Sequence, residues 1–359
     1  MFQDETPLIA LKEARRFMVD CMKAVGAPTK HAELLADLLV EADYRGIFSH
    51  GMNRLEIYMN DVRSGLCDSK AVPKILLETP ATAWVDGQNG LGAVVGNFCM
   101  NIAIEKAKNV GVGWVCSKGS NHYGIAAKYA LMAMEEGLLG MSFTNSSSIM
   151  SPTRGKTSAL GTNPLSLAAP AENGDSFVLD MATTTAPLGK VEMHKRRNEP
   201  IPHGWAQDKN GRSITDPFEA YDAGFLMPLG GLESNSGYKG YGLAMLVEIF
   251  CGILSGSNYG PNIEKWGSTN QIANLGQCFV AIDPKCFAPG FESRMSDLMY
   301  NLRKIEPVDP TKPVLVAGDP ESAHKAMVDK NGGLRYVKNQ IETCLRLAHE
   351  FNVTPLQPL

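Results

Sequence analysis

The sequence lacks an uninterrupted apolar stretch long enough to cross a lipid bilayer, and its first residues are acidic where a secretory signal would be apolar. It also lacks a long basic run, and its formal net charge of −4 gives nucleic-acid binding little support. The eight cysteines form no C-x-x-C pair, and no histidines or cysteines have zinc-binding spacing. We therefore expect a cytoplasmic protein with reduced thiols that binds no metal, nucleic acid or membrane.

Several catalytic motifs are missing as well. The chain has no G-x-S-x-G nucleophile elbow and no Walker spacing, which argues against a serine hydrolase and against NTP hydrolysis. Glycines 90, 92 and 96 invite a Rossmann interpretation, but their G-x-G-x-x-x-G spacing is one residue off. The next strand ends at Cys116–Gly119 without the acid that would bind a ribose. We therefore favour a turn followed by a close-packed helix.

The periodicity of the sequence changes near residue 82. Helical periodicity dominates before it, strand and helix alternate after it, and the tail is helical again, with an irregular segment over 187–237. This pattern predicts an α/β domain over 79–285, a helical segment over 1–78 and a mainly helical one over 286–359 that packs with it. The predicted helices begin near Leu8, Thr29, Ser49, Leu91, Tyr123, Tyr241, Ser293, Glu321 and Tyr336, and the predicted strands are 82–86, 113–116, 139–144, 177–180 and 277–282.

The most informative residues lie between positions 49 and 58. His50, Arg54 and Tyr58 recur at four-residue spacing, which places them on one stripe of a helix predicted over 49–65. Two cations on adjacent turns repel each other unless an anion or a function compensates. Arg can hold a carboxylate through two parallel hydrogen bonds, and His can exchange a proton near neutral pH. The cluster therefore indicates chemistry on a small organic acid.

Four further segments could bind or react with a ligand. His122 lies where a strand ends and a helix begins, a place that faces clefts in α/β folds, although a capping or core role fits it equally. Asp180–Thr185 joins hydroxyls to backbone N–H groups, which suits a phosphate or ribose but is also common in turns. Gly237–Gly242 places a lysine among glycines at a helix start, as in anion sites. Val316–Glu321 is a tight turn that enters a helix.

These segments together resemble one family. The motifs that carry the likeness are, in order, Ser49-His50-Gly51 with Arg54, Ser120–Gly124, Gly161–Pro164, Asp180–Thr183, Ile201–Ala206 with Asp208, Thr215–Pro217 and Lys239–Gly242. The chain resembles the malate/L-lactate dehydrogenase type 2 family over nearly its whole length. That family also holds ureidoglycolate and sulfolactate dehydrogenases, diketogulonate reductase and cyclic imine reductases. The resemblance implies an α/β fold with a mixed, non-Rossmann sheet in the cofactor-binding domain and a helical domain from the N- and C-terminal segments.

The resemblance also implies a cofactor, a site and an assembly. Members are NAD- or NADP-dependent oxidoreductases, usually homodimers with a site between domains. His50 and His122 become the acid/base candidates, and Arg54 becomes the candidate for the substrate carboxylate, with Tyr58 beside it. We expect NAD, with NADP as the alternative, because His194–Arg197 could meet a 2′-phosphate or be a solvated loop. The residues expected to contact the dinucleotide are Ser146, Asp180, Met181, Ala182, Thr183, Thr184, Lys239, Gly240, Gly318, Asp319 and Pro320.

Three hypotheses about function follow. The first is reversible hydride transfer between nicotinamide and a small (S)-2-hydroxy/2-oxo acid, with malate and oxaloacetate as the expected pair. The second keeps the cofactor and changes the substrate to ureidoglycolate, a diketo sugar acid, sulfolactate or a cyclic imine carboxylate. The third is a non-catalytic paralogue, against which the presence of both histidines and Arg54 argues. The chain also departs from many relatives in having Arg154-Gly155 where they carry a Gly-Gly turn.

Overall fold

The computed structural model describes residues 6–223, 225–267 and 271–359. Within these ranges the chain forms one seven-stranded sheet with helices packed on it and two small two-stranded sheets. The helices are α1 Leu11–Ala24, α2 Thr29–Tyr44, α3 Leu55–Arg63, α4 Gly92–Val110, α5 Ala127–Glu135, α6 Leu188–Arg197, α7 Pro217–Ala223, α8 Gly237–Glu248, α9 Phe291–Arg303, α10 Asp319–Asn331 and α11 Lys338–Phe351. The strands are β1 Leu8–Ile9, β2 Lys74–Glu78, β3 Thr82–Asp86, β4 Val112–Ser120, β5 Leu139–Thr144, β6 Leu165–Pro170, β7 Ser176–Met181, β8 Ala206–Gln207, β9 Ser213–Ile214, β10 Leu275–Ile282 and β11 Leu334–Arg335.

The large sheet mixes parallel and antiparallel strands. Its order is β2-β3-β4-β10-β5-β6-β7, in which β3 runs parallel to β4 and every other neighbouring pair is antiparallel. A Rossmann domain would instead have a mostly parallel sheet with its own strand order. The expected α/β fold with a mixed, non-Rossmann sheet is therefore confirmed.

The central strand β10 is buried on both faces of the sheet. Phe279 and Ala281 belong to the core shared with α4, whereas Cys278 and Val280 pack with Val247 of α8 on the opposite side. Successive side chains of a strand point to opposite faces, so a strand covered on both sides becomes a continuous apolar run. This run is what made β10 predictable from the sequence.

The two ends of the chain build one helical layer. α1 packs on α2 and α11, and β1 pairs with β11. One stripe of α2, namely Leu35, Leu38, Leu39 and Ala42, is fully buried in the core that these helices share. The expected helical domain from the N- and C-terminal segments is therefore confirmed.

The structure corrects several predicted boundaries. The helix expected from Leu8 begins at Leu11, because the two residues before Ala10 pair with the C-terminal segment instead. The segment 1–78, expected to be helical, contributes the edge strand β2. All five residues of β2 are exposed, so no alternation of buried and exposed positions marked it. The segment 187–237, expected to be irregular, contains α6 and α7.

The helix predicted from Tyr241 leaves one side exposed. α8 continues through a π-helical turn over Ile249–Ile253, and its inner side packs on the sheet. No helix in the described ranges is long and apolar enough to cross a membrane. The outer side, which we call the α8 apolar face, consists of Tyr238, Met245, Leu246, Ile249, Ile253 and Leu254, all exposed. The residues over 241–254 are apolar on nearly all sides of the helix, but the described chain buries only the side that faces the sheet.

Candidate active site

His50 and Arg54 lie on two short 3-10 turns that precede a helix. The turns cover Phe48–His50 and Met52–Arg54, and α3 begins only at Leu55. The helix predicted from residue 49 is therefore wrong for its first six residues. The two side chains still belong to one compact segment, because the turns fold it tightly before the helix starts.

Asp43 of α2 explains why the segment turns. Its Oδ2 accepts hydrogen bonds from the N–H of Met52 and from the hydroxyl of Tyr336, both at 2.9 Å. A Cβ at Gly51 would overlap the carboxylate of Asp43, so the turn needs a glycine there. Asp43 is fully buried, its Oδ1 has no hydrogen-bond partner among the described residues, and burial raises its pKa to about 7. No motif or spacing in the sequence indicates this role.

His122 follows β4 and is held by two hydrogen bonds at one ring nitrogen. Its Nδ1 lies 2.6 Å from the hydroxyl of Tyr58 and accepts the N–H of Gly124 at 3.3 Å. A backbone N–H can only donate, so the neutral ring carries its proton on Nε2. A Cβ at Gly92 would overlap the carbonyl oxygen of His122. The glycine motif thus lets α4 pack against the histidine segment.

The two histidines lie close together, and the pKa of each is lowered. Their ring centroids are 5.8 Å apart. Burial lowers the pKa of His50 to about 4, and the nearby Arg54 adds to the effect. Burial also lowers the pKa of His122 well below its usual value, with His50 and Arg54 contributing. Both imidazoles are therefore neutral at pH 7, whereas the guanidinium remains charged.

Arg54 is held in place through its Nε atom. Its Nε donates to the carbonyl oxygen of Ser49 at 2.6 Å, and its guanidinium carbon lies 5.8 Å from the centroid of the Trp266 ring. Within the described ranges no acidic side chain forms an ion pair with it. Its terminal nitrogens therefore remain available for the carboxylate of a ligand.

Trp266 is a central residue that sequence reasoning missed. Its ring is nearly parallel to that of His122, at 9° and 3.8 Å between centroids. Its Nε1 donates to Oδ2 of Asp61 at 3.0 Å, and its backbone N–H donates to Oγ of Ser147 at 2.8 Å. Trp266 belongs to none of the motifs of the resemblance, so only its neighbours in space reveal it.

A pocket opens beside His122. Among the residues that line it are Asn121, Ser146, Ser147, Lys265 and Trp266. Ser146 is thus the one expected cofactor contact that shares this pocket with an acid/base candidate. In the described part of the chain, no group of three or more His, Cys, Asp or Glu residues is arranged to hold a metal ion.

Three of the four segments expected to contact the dinucleotide adjoin one another. Oγ of Ser146 lies 3.2 Å from Oγ1 of Thr162, whose carbonyl oxygen accepts the N–H and the hydroxyl of Thr183 at 2.8 and 2.9 Å. Thr183 in turn accepts the N–H of Leu229 at 2.9 Å. A Cβ at Gly240 would overlap the carbonyl oxygen of Leu229, so α8 begins in direct contact with this chain of residues.

The fourth segment lies along β7. Gly318 has φ +103°, and a Cβ there would lie 3.2 Å from Val178, two residues before Asp180. Asp319 begins α10 and forms an ion pair with Arg303 at 2.7 Å, so its carboxylate is occupied by the fold. Gly318–Pro320 can therefore offer a ligand its backbone and the start of a helix.

The remaining side chains show what kind of ligand these segments suit. The carboxylate of Asp180 accepts the N–H that begins α5 at 2.9 Å, and burial raises its pKa to about 6. The hydroxyl of Thr184 donates to a nearby carbonyl, while Met181 and Ala182 are half-buried. Lys239 is exposed and forms no ion pair within the described ranges. A free cation beside glycines and hydroxyls fits the phosphates and riboses of a dinucleotide.

Glu248 is a second buried carboxylate that sequence reasoning missed. It accepts the side-chain amides of Asn145 at 3.1 Å and Asn163 at 2.7 Å, and the N–H of Gly260 at 3.1 Å. The carboxylate of Glu248 therefore holds both Asn145, which precedes Ser146, and Asn163 of the Gly161–Pro164 motif. A single acid in the otherwise uncharged run 241–254 was the signal that could have indicated it.

Known proteins resemble this chain along most of its length. A profile of the family described as Malate/L-lactate dehydrogenase matches residues 9–343. Malate dehydrogenase of Pyrococcus abyssi is 43% identical over 80% of this chain and 79% of its own, and L-sulfolactate dehydrogenase of Methanocaldococcus jannaschii is 35% identical over 94% and 96%. The structure of malate dehydrogenase from Pyrococcus horikoshii superimposes with a TM-score of 0.91 at 34% identity, covering 99% of both chains.

Two further relatives carry a cofactor in their names. One is the ureidoglycolate dehydrogenase (NAD(+)) of Escherichia coli O157:H7, 35% identical over 79% of each chain. The other is the (2R)-3-sulfolactate dehydrogenase (NADP(+)) of Chromohalobacter salexigens, 33% identical over 84% of this chain and 88% of its own.

The fold, the site and these relatives define an oxidoreductase, a dehydrogenase of hydroxy acids. The chain belongs to the malate/L-lactate dehydrogenase family. The alternative of a non-catalytic paralogue is thereby set aside, because the relatives that match over most of their length are named dehydrogenases.

Proposed function

We propose that this enzyme interconverts (S)-malate and oxaloacetate with NAD. The observation that carries the proposal is the unpaired guanidinium of Arg54 beside two neutral histidines. A charged group that is partly buried and lacks a counter-ion is costly unless a ligand supplies one. The relatives at 43% identity are named malate dehydrogenase, which favours malate over ureidoglycolate, a diketo sugar acid, sulfolactate or a cyclic imine carboxylate.

Arg54, His122 and Tyr58 have different roles in binding and orienting the substrate. The terminal nitrogens of Arg54 bind the carboxylate next to the reacting carbon and so fix its orientation. His122 donates a hydrogen bond from Nε2 to the oxygen on that carbon, because Nδ1 is occupied by Gly124 and Tyr58. Tyr58 is therefore a positioning residue that acts through His122. When bound, NAD supplies the hydride acceptor for malate oxidation and, reduced, the hydride donor for oxaloacetate reduction.

His50 is the histidine that exchanges the proton. Its Nδ1 lies 2.9 Å from Oγ of Ser49, a hydroxyl that can accept or donate, so Nε2 can carry the proton or give it up. His122 has no such freedom, because a second proton on Nδ1 would meet the N–H of Gly124. In malate oxidation, Nε2 of His50 accepts the hydroxyl proton, and in oxaloacetate reduction it returns the proton.

The dinucleotide is held by the three segments that adjoin one another and by the fourth segment, which lies along β7. Lys239 and the backbone of Gly240 meet the phosphates, Asp180–Thr184 lines the ribose side, and Gly318–Pro320 supplies the start of a helix. NAD is favoured over NADP because the basic run of α6 is already paired. The pairs are Lys195 with Asp222 at 2.8 Å, Arg196 with Glu192 at 2.5 Å and Arg197 with Glu199 at 4.0 Å.

A second copy of the chain covers the α8 apolar face. Six exposed apolar side chains on one helix are costly in water, at roughly 25 cal/mol for each Å² left uncovered. A homodimer related by a two-fold axis would bury the same face on both copies. Ile249→Asp places a charge in this face and should yield monomers in light-scattering measurements at micromolar concentration. An unchanged mass distribution would contradict the use of this face.

The function is tested with His50→Ala and Arg54→Ala. We expect kcat/KM for oxaloacetate-dependent NADH oxidation to fall by at least a hundredfold in each, since each change removes a group that touches the substrate. Lys12→Ala, an exposed change on α1, is the matched control. Unchanged kcat/KM in either site variant would refute the assignment. A panel of ureidoglycolate, sulfolactate, a diketo sugar acid and a cyclic imine carboxylate with both cofactors compares the alternative substrates.

A further inference from the structure

We propose that Lys265 binds the second anionic group of the substrate and so restricts the enzyme to 2-hydroxy acids that carry two negative charges. The inference rests on the proposed function, because it assumes that Arg54 holds the first carboxylate. It adds the residue that tells malate from lactate, and it extends equally to a sulfonate in place of the distal carboxylate.

The segment that carries Lys265 is fixed against the reacting residues. The next residue, Trp266, is tied to Ser147 by its backbone N–H and to Asp61 by its indole N–H. Its ring lies 3.8 Å from that of His122. Three contacts thus hold position 266, so the adjacent lysine cannot move far from the pocket even though its side chain is exposed.

The charges in this pocket leave Lys265 available. Lys265 lines the pocket together with His122, Asn121, Ser146 and Ser147, all of which are uncharged when the histidine is neutral. Within the described ranges Lys265 forms no ion pair. Two acids also line the pocket, but Asp61 is bonded to the indole of Trp266, and Glu264 forms no ion pair with its neighbour.

Two cations adjoin Trp266. The guanidinium carbon of Arg54 lies 5.8 Å from the centroid of that ring, and Lys265, the residue just before Trp266, lines the pocket beside it. His122 is stacked on the same indole and, under the proposed function, binds the oxygen on the reacting carbon. A four-carbon dicarboxylate or a three-carbon sulfonate offers an anion to both cations, whereas lactate and ureidoglycolate leave the lysine without one.

Lys265→Gln tests the inference by comparing two substrates in one enzyme. We expect KM for oxaloacetate to rise about tenfold, as loss of one charge-assisted hydrogen bond predicts, while kcat changes less than twofold. KM for pyruvate and KM for NADH should stay unchanged. Lys265→Arg should restore most of the affinity for oxaloacetate, and Glu264→Gln, the matched control in the same pocket, should leave its KM unchanged or lower it.

Each contrary result has a separate meaning. Equal effects of Lys265→Gln on oxaloacetate and pyruvate, or no effect on either, would overturn the inference while the proposed function stands. A rise in KM for NADH alone would overturn it in favour of a cofactor phosphate as the anion. A wild-type enzyme that reduces pyruvate but not oxaloacetate would instead refute the malate assignment itself.

A binding measurement without turnover gives a second readout. The chain has four tryptophans, and Trp266 lies at the pocket, so tartronate, a 2-hydroxy dicarboxylate that cannot react in the absence of NAD, should change the intrinsic fluorescence on binding. The change, measured without NAD so that no hydride acceptor is present, should disappear in Trp266→Phe, which assigns it to this residue. Lys265→Gln should raise the apparent Kd for tartronate about tenfold and leave that for glycolate unchanged, whereas equal Kd values in the two proteins would contradict the proposal.

Discussion

Replacing Asp43 with asparagine should stabilise the enzyme, and the gain should depend on pH. The carboxylate is fully buried, and burial raises its pKa from 3.8 to about 7. Below pH 3.8 the group is neutral in the folded and unfolded states, so it costs nothing. As the pH rises, the unfolded state loses its proton first, and the folded state becomes less stable by about 1.4 kcal/mol per pH unit until pH 7. The total cost above pH 7 is therefore about 4 kcal/mol.

Asparagine removes this cost and keeps the geometry. Its side-chain oxygen can still accept the N–H of Met52 and the hydroxyl of Tyr336. The amide nitrogen takes the position of Oδ1, for which the described part of the native chain offers no partner either. The other ionisable neighbours stay neutral over this range, because burial raises the pKa of Tyr336 well above its usual value and that of Cys344 to about 11.

Urea unfolding of Asp43→Asn and the wild type at pH 5, 6, 7 and 8 measures the effect. The advantage of the variant should grow with pH between 5 and 7 and then level off at about 4 kcal/mol. Asp297→Asn, at an exposed position of α9, should show no such trend. A variant that is no more stable than the wild type at pH 8, or a gain that is the same at every pH, would refute the reasoning. Asp43→Ala should lose activity, because it frees the turn between His50 and Arg54.

Three further predictions concern the groups around the histidines. Tyr58→Phe removes the 2.6 Å hydrogen bond to His122, so kcat should fall about tenfold in steady-state assays while KM stays the same; a change in KM alone would contradict it. Arg54→Gln removes a positive charge, so the pKa of His50 should rise from about 4, as an NMR titration of its ring would show. Gly92→Ala should displace the histidine segment and lower kcat/KM at least tenfold. Gly189→Ala on α6 is the control and should leave kcat/KM unchanged, because a Cβ there meets no described atom within 4 Å.

The sequence indicated those parts of the fold whose signal is local. The buried stripe of α2 and the apolar run of β10 follow from periodicity, because each residue's neighbours lie a few positions away. The pairing of His50 with Arg54 followed from spacing, although the segment proved to be two turns and not a helix. The edge strand β2 left no pattern, because none of its residues is buried.

The residues that sequence reasoning missed depend on distant partners. Asp43 acquires its role only when Tyr336, 293 positions away, reaches its carboxylate. Glu248 joins residues 103 and 85 positions before it, and Trp266 meets Asp61 at a separation of 205. No window of the sequence contains both members of such a pair. The residue types of Asp43, Glu248 and Trp266 are plain in the sequence, but their roles depend on contacts that only the fold brings together.

The hydrogen bond from Tyr336 to Asp43 has a consequence for the order in which the enzyme is made. A ribosome delivers the turn that carries His50 and Arg54 almost 300 residues before it delivers Tyr336. β1 likewise cannot pair until its partner β11, which lies next to Tyr336 in the sequence, has been synthesised. Closing so large a loop is slow, and the sheet can assemble earlier from its nearer contacts. The nascent chain should therefore carry a folded sheet but no activity until its last helix has left the ribosome.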